Sequence, residues 1–519
     1  MTNERVYLST TIPYVNARAH LGHALELVQA DVLARHRRLA GDQVRSQTGT
    51  DDNSLKNVLA AEAEGISTGA LVDRNASAFA ALAQPLSLSF DDFIRTGSDP
   101  RHRPGVERLW RACAASGDLY RKQYEGLYCV GCEQFYRPAE LPGGLCPEHG
   151  TRPERVAEEN WFFRLSRYAG QLHDLISSGR LRIEPAARRN EVLGFISGGL
   201  EDFSASRSTE RARGWGIPVP GDPGQVIYVW WDALGNYITA PGYGAGGGDY
   251  ERWWTGADRR IHLVGKGVLR FHAVYWPAIL LSAGEPLPTD ILVHDYLTIG
   301  GSKISKSGAV AGNETADPVE LADRYGTDAV RWWLLREVPR VGDADFTSAR
   351  LVARANDDLA NGLGNLVSRV VTLVHRYRQG RVPWPDESLA AAVSERQALA
   401  AACQRAPAQI AAALDAFDFR AATAAVWEVV DEANRFVERT EPWLLARAER
   451  DGDPAAGRLL DDALALLGSA CSELATLLAP FLPDLAGRIR AAFNDSAGRL
   501  PAAEPLFPRL ERAVVGDAA

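Results

Sequence analysis

The chain is almost without methionine: among its 519 residues Met1 is the only one. Lysine is nearly as scarce. Five lysines (Lys56, Lys122, Lys266, Lys303 and Lys306) stand among 57 basic residues, and the others are arginine. A GC-rich genome writes arginine wherever either cation serves, so a lysine that survives marks a place where a compact, flexible ammonium is needed. Two of the five share one segment, Lys303-Ile304-Ser305-Lys306-Ser307. Long apolar runs are also missing, and none approaches the roughly 20 residues a membrane-spanning helix needs. The opening residues Met1-Thr2-Asn3-Glu4-Arg5 lack the basic-then-apolar pattern of a secretory signal. The six cysteines are too few, and three of them too clustered, for a disulfide framework. They point instead to a metal site in a reducing compartment, the cytoplasm. Net positive charge is absent as well. A balance of -9 gives a nucleic-acid partner no support, although a locally basic face would suffice for one.

What is present is a globular composition, 46% hydrophobic and 24% charged, in a chain long enough for roughly three or four domains. Residues 5–12 read as a strand. A Pro-Tyr-Val-Asn turn follows, then an amphipathic helix from Leu21 to Leu39 and a short strand near Val44 that leads into Thr48-Gly49-Thr50-Asp51. This order predicts an α/β domain with a parallel sheet and a site at the strand C-termini. From 120 to 224 the texture changes to Cys, Gly and Pro clusters with little helical periodicity, as in an insertion. Strand-like runs return at Val226–Trp230, Ile261–Val264 and Ile291–Thr298. Beyond Leu351 the chain is rich in Ala, Leu and Arg, and Leu460, Leu464, Leu467, Cys471, Leu474 and Leu478 form one helical stripe. The expected organisation is therefore a split Rossmann-type domain (1–119 and 225–350), an insertion (120–224), an all-α bundle (351–495) and a surface tail (496–519).

Four constellations carry chemistry. His20-Leu21-Gly22-His23 opens a helix directly after a strand, where ring nitrogens, backbone N–H groups and the helix dipole all favour phosphate, and Gly22 permits close approach. The Lys303–Ser307 segment follows the Gly300-Gly301 pair, which suits a loop that closes on a triphosphate. Cys129-Val130-Gly131-Cys132 and Cys146-Pro147-Glu148-His149, thirteen residues apart, supply four N/S ligands for a closed tetrahedral zinc site. Asn365 and Arg369 lie four apart on one helix face, and Glu441-Pro442-Trp443 follows a helix beginning near Ala421.

The pair HLGH and KISKS resembles the HIGH and KMSKS signatures of class I aminoacyl-tRNA synthetases. With Thr11-Ile12-Pro13-Tyr14-Val15-Asn16, the run Tyr228-Val229-Trp230-Trp231-Asp232-Ala233-Leu234-Gly235-Asn236-Tyr237, Gly265–His272 and Tyr275–Ala278, the chain resembles the methionyl-tRNA synthetases from about Val6 to Phe493. The resemblance implies ATP binding, with its Mg2+, by His20, Gly22, His23, Lys303 and Lys306. It implies a methionine pocket of Ile12, Tyr14, Trp230, Ala233, Tyr237, Val268 and His272, with Asp51 on the substrate ammonium. It gives the zinc, one per chain, a structural role, and it makes Asn365, Arg369 and Trp443 readers of a CAU anticodon on tRNA(Met). No further C-terminal tRNA-binding module follows, so a monomer is expected. Three departures stand out: Asp52-Asn53-Ser54 replaces the usual Glu-His-Gly, Gly267 replaces an aspartate, and Gly308–Ala316 is a few residues longer. The near absence of methionine would suit a backup or inhibitor-resistant copy, drift being the plainer account. A non-catalytic tRNA-binding paralogue and an amino-acid:amine ligase are the rival readings.

Overall fold

The computed structural model describes residues 3–304, 315–384, 394–493 and 499–511, and the chain divides into two compact units. The first holds Met1–Ala83 and Leu88–Tyr296. Its centre is a six-stranded parallel sheet built from β1 (Arg5–Thr10), β2 (Gln43–Thr50), β3 (Asp92–Arg95), β4 (Arg182–Glu184), β5 (Arg259–Gly265) and β6 (Asp290–His294), in the order β3-β2-β1-β5-β6-β4. The expected parallel α/β class is what is found. Central strands of such a sheet are covered on both faces, which is why β1 and β5 read as continuous rather than alternating apolar runs.

Helix α1 (Leu21–Leu39) crosses from β1 to β2 with the predicted bounds. Its Glu26 ties two strand ends together. Oε1 accepts from the N–H and hydroxyl of Thr11, just beyond β1, and Oε2 bonds His294 Nε2 at 2.9 Å at the end of β6. Three expectations need correction. The run 226–230 is no strand of the parallel sheet: Asp222–Ile227 belongs to a separate three-stranded antiparallel sheet, and α2 (Val229–Thr239) starts directly after it. Apolar side chains at the helix start mimic a buried strand run. The segment 120–224 is also more helical than its texture implied, with helices at Ala169–Ser177 and Ala186–Ser197. Finally, β4 lies at the edge of the parallel sheet, so the chain touches that sheet well before residue 225. The antiparallel sheet of the insertion runs Gln134–Tyr136, Leu119–Cys129, Glu154–Phe163, Phe203–Ser204.

The second unit holds Leu297–Ile304 and the chain beyond 308, with Gln84–Ser87. A small sheet places Leu297–Ile299 between Ser302–Lys303 and Ala344–Asp345. Around it lie helices at Asn365–Arg378, Ser394–Asp415, Phe419–Thr440, Pro442–Arg450, Pro454–Leu478 and Pro483–Ala492. The stripe expected on 460–478 is buried throughout. Arg331 is fully buried, and its guanidinium donates to the carbonyls of Leu86, Pro480 and Phe481, which satisfies the charge where water cannot. Residues 499–511 lie along the helices: Asn356 exchanges two hydrogen bonds with the backbone of Leu510, and His375 Nε2 meets Pro501 O at 2.8 Å.

Candidate active site and metal knuckle

The two histidines of HLGH cap their own helix. His20 is the N-cap residue of α1, and its Nδ1 accepts the Gly22 N–H at 3.1 Å; His23 Nδ1 accepts the His20 N–H, also at 3.1 Å. The rings stack at 3.8 Å between centroids, and the edge of His23 meets Phe79. This reciprocal capping fixes the tautomer. With both Nδ1 atoms accepting, a neutral ring carries its proton on Nε2, the donor a phosphoryl oxygen requires. A Cβ on Gly22 would stand 3.0 Å from His20 ring atoms, so the glycine also leaves room for the cap.

Side chains from several elements meet at the ends of β1 and β2. Tyr14 forms an isolated parallel bridge with Asp51 at the end of β2, held by Asp51 N–H donating to Pro13 O at 3.0 Å. Ile12 packs with Ile94, Ala233 and Ala240. Trp230, Ala233 and Tyr237 fall on one stripe of α2, at steps of three and four. Trp230 stacks flat on Phe271 at 3.8 Å, and Tyr14 meets it edge-on at 6.2 Å. His272 Nδ1 meets the carbonyl of Val268 at 2.9 Å, and its Nε2 meets Tyr237 Oη at 2.7 Å. A carbonyl only accepts, so Nδ1 carries the proton and the tyrosine hydroxyl donates to Nε2. Burial lowers the His272 pKa to about 4 and also holds that of neighbouring His262 well below the usual imidazole range, so both rings are neutral at ordinary pH. The predicted pocket residues are thus brought together.

Asp51 is buried, and burial, then Asp232 and Glu133, push its carboxyl well above the usual range. The nearest cation is the buried ammonium of Lys56, which lies 4.6 Å from the Tyr14 ring centroid and acts on both Asp51 and Glu133 without a close ion pair to Asp51. Two neighbouring carboxylates have close partners. Asp232 takes His102 Nε2 at 2.5 Å and Asn53 Nδ2 at 2.7 Å, and Asp52 pairs with Arg95 at 3.0 Å. At Gly267 a Cβ would meet Tyr296 Oη, so a larger residue there would require the tyrosine to shift. Tyr296 itself lies under Lys266 Nζ, 4.5 Å from the ring centroid, and donates to Glu148 at 3.3 Å.

Cys129, Cys132, Cys146 and His149 offer ligand atoms all within 4.8 Å of one another. Cys132 Sγ lies 3.4 Å from Cys146 Sγ and 3.2 Å from His149 Nδ1. A tetrahedron with metal–sulfur bonds of about 2.3 Å has edges near these lengths, so the set fits a metal ion. A Cβ on Gly131 would come within 2.7 Å of His149, so only glycine serves there. The knuckle also reaches the pocket: Trp230 Nε1 donates to Cys132 O at 3.4 Å, and Tyr228 Oη donates to Glu133 O. Sequence reasoning missed Glu133, Arg207 and the His102–Asp232 pair. Arg207 is buried over the rings of Tyr128 and Tyr228, 5.2 Å from each.

Lys303 lies on the short strand Ser302–Lys303 of the second unit, after the left-handed Gly300-Gly301 turn, and Lys306 lies outside the described residues. Asn365 is exposed and Arg369 half-buried on helix Asn365–Arg378, while Trp443, 41% exposed, opens helix Pro442–Arg450.

The chain matches the family described as tRNA synthetases class I (M) at residues 6–152 and 132–371, and the anticodon binding domain of methionyl tRNA ligase at 387–512. It is 40% identical to the methionine–tRNA ligase of Brucella suis across 98% of both chains. It is 41% identical to that of Mycobacterium tuberculosis, across 93% of this chain and 91% of the relative. The structure of Mycobacterium tuberculosis methionyl-tRNA synthetase in complex with methionyl-adenylate superposes with a TM-score of 0.90 at 37% identity, covering 98% of this chain and all of that one. The free-state structure of the same protein gives 0.84 at 35% identity, covering 98% and 99%. No described helix is long and apolar enough to cross a membrane.

Proposed function

Because the chain belongs to the methionine–tRNA ligase family of class I aminoacyl-tRNA synthetases, we infer that its pocket selects L-methionine and that His20 and His23 face the ATP phosphates. The enzyme activates methionine with ATP and transfers it to tRNA. The observation that supports the site assignment is the buried Asp51, with its carboxyl pushed up by burial, bridged to Tyr14 among the aromatic side chains.

In this reading Asp51 takes the substrate ammonium, while Ile12, Tyr14, Trp230, Ala233, Tyr237, Val268 and His272 enclose the thioether. A neutral, hydrogen-bonded His272–Tyr237 pair offers apolar ring surface without a second charge. The carboxylate of methionine attacks the α-phosphorus in line, its bond to phosphorus forming as the bond to pyrophosphate breaks. The Nε2–H donors of His20 and His23, at a turn where Gly22 permits close approach, stabilise charge on the phosphoryl oxygens, and Lys303 and Lys306 neutralise the leaving pyrophosphate. Mg2+ accompanies the ATP. The terminal tRNA ribose then attacks the adenylate carbonyl and expels AMP. Zinc on Cys129, Cys132, Cys146 and His149 supplies structure, holding the knuckle whose carbonyls receive Trp230 and Tyr228. Asn365, Arg369 and Trp443 read the CAU anticodon of tRNA(Met), and the chain works as a monomer in the cytoplasm.

The test is ATP–pyrophosphate exchange with the purified protein, the amino acids run in parallel. Exchange with methionine alone is expected. Exchange driven by another amino acid would mean that the pocket assignment is wrong.

A further inference from the structure

Glu133 follows the second cysteine of the knuckle, and three features set it apart. Its backbone is left-handed, at φ 54°, a conformation glycine adopts freely and glutamate only at a cost. Its side chain is fully buried. Its two carboxylate oxygens are treated unequally: Oε1 accepts the Ser54 hydroxyl at 2.9 Å, whereas Oε2 is buried with no hydrogen-bond partner. A buried acceptor without a donor is expensive, and more so when charged. A strained backbone that directs an unsatisfied carboxylate inward is the pattern of a group kept for a ligand.

The surroundings indicate which ligand. The charge of Glu133 acts on Asp51, on Tyr14 and on the buried ammonium of Lys56, which lies 4.6 Å from the Tyr14 ring centroid and makes no hydrogen bond to Oε2. The tyrosine that receives its main chain, Tyr228, directly precedes α2 and Trp230. Ser54 performs two tasks at once. Its oxygen caps helix Leu55–Glu64 by accepting the Lys56 N–H at 3.0 Å, while its proton aims Glu133. Position 54 is one of the departures from the family pattern, where glycine is usual, so this tether depends on a hydroxyl the usual residue lacks.

We propose that Glu133 is a specificity-determining residue whose free Oε2 binds the substrate α-ammonium together with Asp51. An ammonium has three donors, and a single carboxylate that already accepts the Asn53 N–H cannot meet them all. A second carboxylate supplies the missing acceptor and selects amino acids over their des-amino counterparts. This assignment rests on the methionine pocket proposed above.

The test uses the full-length, metal-loaded protein and compares dissociation constants for L-methionine and for 4-(methylthio)butanoate, which has the side chain and carboxylate but no amine. Glu133→Gln keeps an oxygen for Ser54 and removes the charge. It is expected to weaken methionine by about tenfold to a hundredfold, the range of a lost charged hydrogen bond, and to leave the amine-free ligand within about twofold. Ser54→Ala, which only releases the tether, is expected to give a smaller loss with the same selectivity, and it decides the matter if Glu133→Gln does not fold. Equal weakening of both ligands, or of neither, would overturn the proposal. A folded wild-type protein that binds neither ligand would instead overturn the methionine pocket itself.

Discussion

Replacing Asp51 by asparagine separates the two costs its carboxyl carries. The amide keeps an oxygen for the Asn53 N–H, which lies 3.1 Å from Oδ1, and fills nearly the same volume beside Tyr14. What disappears is a charge that burial, Asp232 and Glu133 all oppose. The folded-state pKa is raised above the unfolded value. Such a group penalises the native state once pH exceeds the unfolded pKa, by about 1.4 kcal/mol for each unit of elevation. Asp51→Asn is therefore expected to raise the unfolding midpoint at neutral pH and to leave it unchanged in strong acid. Function moves the other way. Losing a charged hydrogen bond to ammonium costs about 1.5–3 kcal/mol, or roughly tenfold to 150-fold in methionine affinity. In the wild type, methionine binding should release a proton, and its affinity should fall as pH drops through the raised carboxyl pKa. That limb should vanish in the variant. Calorimetric titration in two buffers of different ionisation enthalpy, from about pH 5 to 8, measures both affinity and proton release. A variant that is less stable at neutral pH, or that keeps the wild-type affinity and proton release, would refute the reasoning.

Other consequences follow from single contacts. Tyr237→Phe strips His272 Nε2 of its donor inside the pocket, and denaturant unfolding should show a loss of about 1–3 kcal/mol. Gly131→Ala puts a methyl group within 2.7 Å of the His149 ring; metal competition with a chromogenic chelator should reveal about tenfold weaker binding or more, and unchanged affinity would argue against the four-ligand site. Trp443→Ala should weaken tRNA charging through KM by about fivefold to a hundredfold, the range of one base stack, with methionine-dependent pyrophosphate exchange unaltered. Loss of exchange in that variant would assign Trp443 to folding instead.

Helix α1 and both cysteine pairs were legible because each is written locally, whereas the aromatic set from Ile12 to His272 came from the family resemblance alone. HLGH is a capping pattern within one turn, and C-x2-C spacing fixes ligand geometry over four residues. The run 226–230 resembles a strand because its first residues close one, at Asp222–Ile227, while Trp230, Ala233 and Tyr237 carry the helical period of the element that follows. Strand β4 has three residues, too few for any periodicity to register. The polar partners beneath the pocket were hidden for another reason. His102 meets Asp232 across 130 residues, and Ser54 meets Glu133 across 79, so neither partner has a local signature. The only cue for Glu133 was a charged residue directly after a metal-binding pair, where a turn often needs glycine.

The same long-range contacts join Asp52, Asn53 and Ser54 into one network. Asp52 is short enough to accept from Thr50 Oγ1 at 2.8 Å while pairing with Arg95, under a Gly97 whose missing side chain makes room: a Cβ there would approach Asp52 Cβ to 2.8 Å. Asn53 donates through one amide hydrogen to Asp232 and through the other to Thr96 O at 3.3 Å, so it restrains a carboxylate without titrating. Ser54 then engages Glu133. Three neighbouring residues thus each address a different buried acid or its approach, and all three do so with side chains that stay in one protonation state or are held by arginine. The acid left without such a partner is Asp51. A network that holds Asp52, Asp232 and one oxygen of Glu133 but ties Asp51 only through the Asn53 N–H keeps that charge available for a ligand, and it predicts that changing 52, 53 or 54 singly weakens methionine affinity in calorimetric titration.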